Sequence, residues 1–330
     1  MSSKISSLPE LVSARALELG SKVAFVDDAT QISYEEIHEK AELLASNLIH
    51  QGLTKGDRVA IWSPNSINWI LVATAIQAAG GILVPINTRM KGSEAGFILN
   101  KSKAKFLFTE NDFLDIDYLD LLKNQDLPNL NKIFVLNPNQ NETEATINDL
   151  FSKQSINLPK IVQDDVADII FTSGTTGVPK AALFPNSKII AASVNIVKGG
   201  YRLNEKDCMY NCLPLYHSTG LMLGLCACIQ AGAATFIRRK FSASMFWEEA
   251  KKFNTTAFVY VGELCRYLSF QDPTDNEQNN PISKMVGNGL RPDLWDCFRN
   301  RFNVNRIIEI YGASEGNALF MNLLNKDKTI

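Results

Sequence analysis

Short apolar runs at 23–26, 59–62, 81–85, 106–109 and 133–136 alternate with longer stretches, 34–50, 66–79 and 93–101, whose apolar residues recur every three or four positions. Runs of four or five apolar residues suit buried strands, and the longer period suits helices that cover them. Alternation of the two predicts an α/β layer with a mainly parallel sheet. A polar stretch at 137–165, beginning Asn137-Pro138-Asn139, interrupts the pattern. A second series then follows: strand 168–172, helix 187–199, strand 209–213, helix 221–231, strand 234–237, helix 244–253 and strand 257–261. After a loop at 271–281 come strand 284–286, helix 292–302 and strand 306–310. The pattern predicts two stacked α/β subdomains, 1–160 and 161–330, with no internal repeat and no low-complexity tract.

Composition adds little to that picture but narrows the partner. The chain has 330 residues, 45% hydrophobic and 21% charged, ordinary for a globular protein with room for two cores. A formal net charge of −2 gives no electrostatic footprint for nucleic acid. Six cysteines, Cys208, Cys212, Cys226, Cys228, Cys265 and Cys297, sit in apolar or helical stretches without metal-ligand spacing, and read as buried free thiols of a reducing cytosol. Residues 1–22 mix charges with short apolar steps and carry no signal-peptide core. The uncharged stretch 219–237 is nearly long enough to cross a bilayer, but its glycines suit a buried helix ending near Gly232 and a short strand after it. A cytoplasmic protein is expected, with peripheral membrane contact and oligomeric state left open.

The chemistry concentrates at Phe171-Thr172-Ser173-Gly174-Thr175-Thr176-Gly177-Val178-Pro179-Lys180, which follows the lead-in Asp165-Val166-Ala167-Asp168-Ile169-Ile170. Glycines let a backbone turn closely, and the hydroxyls and amides around them offer the donors that a polyphosphate needs. Lys180 adds a positive charge at the end. This is no Walker A loop, since the lysine follows proline and no Ser or Thr comes after it. A second segment, Tyr311-Gly312-Ala313-Ser314-Glu315, also begins where an expected strand stops. Ligands of open α/β sheets collect at the carboxyl ends of strands, so both motifs are expected on one rim.

Together the two motifs resemble the phosphate loop and the Tyr-Gly-x-Thr-Glu motif of the adenylate-forming superfamily, which includes acyl-CoA synthetases. The resemblance runs from about Leu8 to the end of the chain. It implies the N-terminal domain fold of those enzymes, with Thr172, Ser173, Gly174, Thr175, Thr176, Gly177 and Lys180 around the phosphates of ATP. It further implies Thr172 and Glu315 on a magnesium ion, Tyr311 against adenine, Gly312 and Ala313 beside it, and Ser314, in place of the usual threonine, at the α-phosphate. Gly287, Asn288 and Gly289, in the run Gly287-Asn288-Gly289-Leu290-Arg291, match the turn that borders adenine, although a plain strand-to-helix turn reads equally well. His217, in Pro214-Leu215-Tyr216-His217-Ser218-Thr219-Gly220, matches a position near the substrate carboxylate, with a helix-capping histidine as the equal alternative. Lys180, His217 and Glu315 are the implied catalytic residues.

Segments such as Gly262-Glu263-Leu264-Cys265-Arg266-Tyr267-Leu268 resemble the fatty-acid transport proteins and very-long-chain acyl-CoA synthetases. The implied reaction joins a fatty or other hydrophobic carboxylic acid to ATP, giving acyl-adenylate, and then to CoA. His217 supplies no counter-charge for an amino group, which disfavours amino-acid substrates. Asn186 stands where many members carry histidine. After Glu315 the superfamily normally continues through a ribose-binding aspartate, a hinge and a small lid domain, none of which is matched here. The expectation is a chain with an incomplete C-terminus, weakly active or inactive alone. Alternatives are a fatty acyl-AMP ligase and a non-catalytic nucleotide- or acyl-binding remnant.

Overall fold

The structure, a computed structural model, describes residues 5–138, 144–152, 156–172, 179–277, 279–313 and 319–329. The chain forms two compact units, one comprising Met1–Lys22 and Ser33–Ile190, the other Val23–Ile32 and Ala191–Ile330.

The first unit is built on six strands in the order Lys180–Pro185, Val166–Thr172, Ile82–Pro85, Arg58–Trp62, Ala104–Thr109, Lys132–Val135. All neighbours run parallel except the first pair, which is antiparallel. Helix Ile67–Ala78 has no solvent face: every residue from Trp69 to Ala78 is buried, as a helix apolar around its circumference requires. Ser66 starts it by accepting from the Trp69 amide at 3.0 Å. Helix Tyr34–His50 begins with a reciprocal box, in which Ser33 Oγ accepts from the Glu36 amide at 3.1 Å and the Ser33 amide donates to Glu36 Oε2 at 2.8 Å. Its buried Ile37, Ala41, Leu44 and Leu48 form one stripe, which packs on Ile67–Ala78. Helix Leu8–Leu19, absent from the sequence expectation, is capped by Ser7 and buries only Leu8, Leu11, Val12 and Ala16. Trp62 and Tyr118 meet edge-to-face at 4.6 Å in the core, each with its polar tip satisfied: Trp62 Nε1 donates to Asn87 O and Tyr118 OH to Thr88 O, both at 3.0 Å.

The second unit holds eight strands in the order Leu319–Met321, Arg306–Gly312, Lys284–Asn288, Ala257–Val261, Cys208–Asn211, Ala234–Ile237, Val23–Val26, Gln31–Ser33. From Arg306–Gly312 to Val23–Val26 neighbours are parallel, whereas Leu319–Met321 is antiparallel to Arg306–Gly312. Packed rings fill the core of this unit, with Tyr210 and Phe246 tilted at 4.5 Å and Phe236 and Phe253 stacked at 4.0 Å.

Two strands sit elsewhere than the chain order suggests. Val166–Thr172 was expected to open the second subdomain, but it pairs with Ile82–Pro85, and Ile169 joins the first core. The compact units consequently divide near Ile190. Val23–Val26 was expected in the first series, yet it pairs with Ala234–Ile237. Apolar runs report that a strand is buried, not which partner it finds.

The uncharged stretch reads as expected. Thr219–Cys226 is a π-helical segment continued by helix Ala227–Ala231, Gly232 ends it in the left-handed region at φ 69°, and strand Ala234–Ile237 follows. Among the described residues no helix is long and apolar enough to cross a membrane. All six cysteines are free; Cys212, Cys226, Cys228 and Cys265 are buried and the other two half-buried. Burial pushes the thiols of Cys208, Cys212, Cys228 and Cys265 up, Cys208 to about 11, away from reactivity.

Candidate functional site

The hydroxyl- and glycine-rich run lies between two paired strands. Thr172, half-buried, ends Val166–Thr172, and its register partner across the antiparallel pair is Lys180, exposed at the start of Lys180–Pro185. The expected strand is present, and beyond the run the chain returns along an antiparallel strand before helix Asn186–Asn195. That return strand was not legible, because Lys180-Ala181-Ala182-Leu183-Phe184-Pro185 mixes exposed and buried positions at an edge. Ser173, Gly174, Thr175, Thr176 and Gly177 lie outside the described residues. Asn186 closes the return. Its amide donates to Asp165 O at 3.0 Å, and its buried side chain donates to Asp165 O at 3.1 Å and Val162 O at 3.3 Å. The residue standing where many members have histidine thus ties the exit of the hairpin to the turn that precedes its entry.

In the second unit, three neighbouring parallel strands place Tyr260, Gly287 and Glu309 in one row. The Tyr260 hydroxyl passes the glycine and donates to Glu309 Oε2 at 2.5 Å. A Cβ on Gly287 would lie 2.0 Å from Tyr260 O and 2.7 Å from its Cγ, so only glycine fits beneath that ring. The next turn is held by the same carboxylate: the amides of Gly289 and Leu290 donate to Glu309, the latter at 3.2 Å. Gly289 is in the left-handed region at φ 81°, and a Cβ on Gly262 would meet its carbonyl at 1.7 Å. Asn288 and Gly289 are exposed, whereas Gly287 is buried. Burial pushes the Glu309 carboxyl above its ordinary value, and the three donors pull it back toward the ionised form. Its hydroxyl partner Tyr260 is driven well up by burial and by Glu309.

Two residues beyond Glu309, Tyr311 ends the strand with 65% of its surface exposed, followed by exposed Gly312 and Ala313. Tyr311 opposes Phe320 of Leu319–Met321, their rings 6.4 Å apart. An aromatic face left open at a strand's carboxyl end, beside a turn of small residues, suits a flat base. The structure therefore brings Gly287, Asn288, Gly289 and Tyr311 together on adjacent strands. Ser314 and Glu315 lie outside the described residues. Glu309 and Tyr260 were not singled out from sequence, and Gly262 appeared only as the start of a family-like segment; the available signal was a lone acid in the apolar strand Ile307-Ile308-Glu309-Ile310.

His217, also in the second unit, lies just before the π-helical segment. Its Nδ1 accepts from the Thr219 amide at 3.2 Å, and the Leu221 amide donates to its carbonyl at 3.0 Å. Surrounding atoms lower its pKa by desolvation, so the ring is neutral near pH 7, with its proton on Nε2. The ring and the carbonyl of His217 thus cap the start of the helical segment. The helix behind it sits close on Asn211, whose Nδ2 donates to Gly220 O at 3.1 Å; a Cβ on Gly224 would meet that side chain at 2.3 Å.

Among the described residues no group of three or more His, Cys, Asp or Glu could hold a metal ion.

These features define the α/β fold of the N-terminal domain of adenylate-forming enzymes. A family model described as AMP-binding enzyme matches residues 12–330, and the chain belongs to that family. Its relatives are fatty-acid CoA ligases and long-chain fatty acid transport proteins. It is 33% identical over 325 residues to the medium/long-chain-fatty-acid–CoA ligase FadD6 of Mycobacterium tuberculosis, covering 96% of this chain and 52% of that one. It is 32% identical over 316 residues to long-chain fatty acid transport protein 6 of Mus musculus, covering 92% and 50%. The chain thus spans about half the length of these relatives. Among solved structures, a Rhodopseudomonas palustris protein assigned as a long-chain-fatty-acid CoA ligase superposes with a TM-score of 0.83 at 26% identity, over 96% of this chain and 78% of that one. The N-terminal domain of FACL13 from Mycobacterium tuberculosis gives 0.82 at 20% identity, over the same 96% and 78%, which supports the fold alone.

Proposed function

We propose that this chain carries the nucleotide- and acid-binding part of an ATP-dependent acyl-CoA ligase acting on a fatty or other hydrophobic acid. The observation that carries the reading is the buried row Tyr260, Gly287, Glu309 with exposed Asn288, Gly289 and Tyr311 just beyond it, because these leave a flat, small-residue surface at the positions the resemblance gives to adenine. The names of the relatives, medium/long-chain-fatty-acid–CoA ligase and long-chain fatty acid transport protein, support the substrate class.

In this reading the Thr172 to Lys180 hairpin contributes charge and donors to the phosphates, where negative charge grows as pyrophosphate departs. Such fixed donors act through positioning and electrostatics, with no covalent chemistry of their own. Thr172 would offer its hydroxyl to magnesium, a role the resemblance also gives to Glu315, and the ion would neutralise phosphate charge. Tyr311 and the 287–289 turn orient the base. His217, kept neutral and with Nδ1 already committed, offers Nε2–H to the acid and leaves that carboxylate unprotonated for attack on phosphorus. CoA then displaces AMP.

The test is acid-dependent exchange of pyrophosphate into ATP, measured on this chain and on a fusion supplying the C-terminal half of the FadD6 relative. Exchange with medium- or long-chain acids in the fusion is expected, and CoA-dependent thioester formation separates a CoA ligase from a fatty acyl-AMP ligase. No exchange in either, with every acid tried, would defeat the reading.

A further inference from the structure

We infer that Glu309 is a positioning residue for nucleotide recognition: its buried carboxylate fixes the 287–290 turn in the shape that selects adenine, with Tyr260 as its orienting partner. The inference rests on the reading of this site as a nucleotide site. It extends that reading to a residue that faces away from solvent and has no place among the groups that would touch ligand.

The geometry is what a positioning role requires. Glu309 is 2% exposed and accepts from three donors, two of them successive backbone amides of the turn. The hydrogen bonds of the Glu309 carboxylate go to the turn and to Tyr260, so it is spent on shaping backbone. Carboxylates that accept several amides hold those amides in one direction. Here that direction decides where the carbonyls of Asn288 and Gly289 point. A purine is told from another by such backbone donors and acceptors, so the turn's orientation sets base selectivity, while phosphate contacts are indifferent to the base. Gly287 and Gly262 give the row its closeness, since each would collide with backbone carbonyl oxygen if it carried a Cβ.

The experiment titrates the full chain with MgATP and, separately, MgGTP, for wild type, Glu309→Ala, Glu309→Gln and Tyr260→Phe, with circular dichroism to confirm folding. Wild type is expected to prefer ATP. Glu309→Ala is expected to lower ATP affinity about tenfold and leave GTP affinity within twofold, collapsing the ratio. Glu309→Gln, whose amide oxygen still accepts from the turn while its NH2 donates to Tyr260, is expected to restore most of the preference. Tyr260→Phe is expected to lower ATP affinity about threefold. A folded Glu309→Ala chain with the wild-type ratio would overturn the inference. Should Glu309→Ala fail to fold, an unchanged ratio in Tyr260→Phe would overturn it instead. A wild-type chain that binds neither nucleotide would overturn the nucleotide reading and the inference together, an outcome distinct from wild-type binding with an unaffected variant.

Discussion

The phenol oxygen of Tyr260 lies 2.5 Å from Glu309 Oε2, the two residues standing on strands separated by the one that carries Gly287. A side chain can cross a neighbouring strand at that range only where the intervening residue has none. Gly287→Ala forces its methyl against a carbonyl at 2.0 Å, and Gly262→Ala against another at 1.7 Å. Both contacts involve backbone, which cannot swing aside. Each substitution is expected to destabilise the chain by about 1–3 kcal/mol or more, read as a lower midpoint in urea. An unchanged midpoint for either would mean the row is looser than described.

Asp168, one residue before the apolar Ile169-Ile170 pair, is buried and accepts from Gln77 Nε2 at 2.6 Å, and among the described residues its Oδ2 has no hydrogen-bond partner. Burial raises its pKa from 3.8 to about 7. Because the folded value is the higher one, the stability this group contributes is full below pH 3.8 and is lost as pH rises through about 7. Asp168→Asn mimics the neutral form. Its unfolding free energy is expected to exceed wild type by about 2–4 kcal/mol at pH 8, and to match it near pH 4, in urea titrations at both values. A constant difference across that range would contradict the assignment.

Arg299 ties the final segment to the second unit. Its guanidinium donates to Val304 O at 3.0 Å, to Asn325 Oδ1 at 3.0 Å and to Asp327 Oδ1 at 2.5 Å, and Asn325 Oδ1 also accepts from the Ile307 amide at 2.8 Å. Charge-assisted bonds of this kind are the stronger ones. Arg299→Ala is expected to cost about 2 kcal/mol and to speed amide hydrogen exchange in 319–329 selectively. Uniform acceleration over the whole chain would show that the segment has no separate anchor.

Much of this architecture was readable from residue pattern, and the failures share a cause. Helix Tyr34–His50 and strands Ala234–Ile237 and Ala257–Val261 fall where the apolar period places them, since burial there follows local sequence. Val23–Val26 and Val166–Thr172 were recognised as strands but placed in the wrong sheets, because pairing is decided by contacts far along the chain. Helix Leu8–Leu19 was missed because Leu17, 87% exposed, blurs its stripe. Strand Leu319–Met321, with Leu319 and Phe320 also exposed, gave no alternating signal. At the site, the glycines and Tyr311 announced themselves as a motif. Glu309 did not, for its role depends on a row across three strands that no linear spacing reveals.

The central claim is that the paired ends of Val166–Thr172 and Lys180–Pro185, where Thr172 faces Lys180, receive the phosphates of a nucleotide. Lys180 is exposed at an edge, so Lys180→Ala is expected to fold with stability within about 0.5 kcal/mol of wild type. Calorimetric titration of the wild-type chain and this variant with MgATP and with adenosine tests the claim most directly. The expected result is a loss of about tenfold or more in MgATP affinity on removing the lysine, with adenosine affinity unchanged; equal MgATP affinity in the two folded proteins would contradict it.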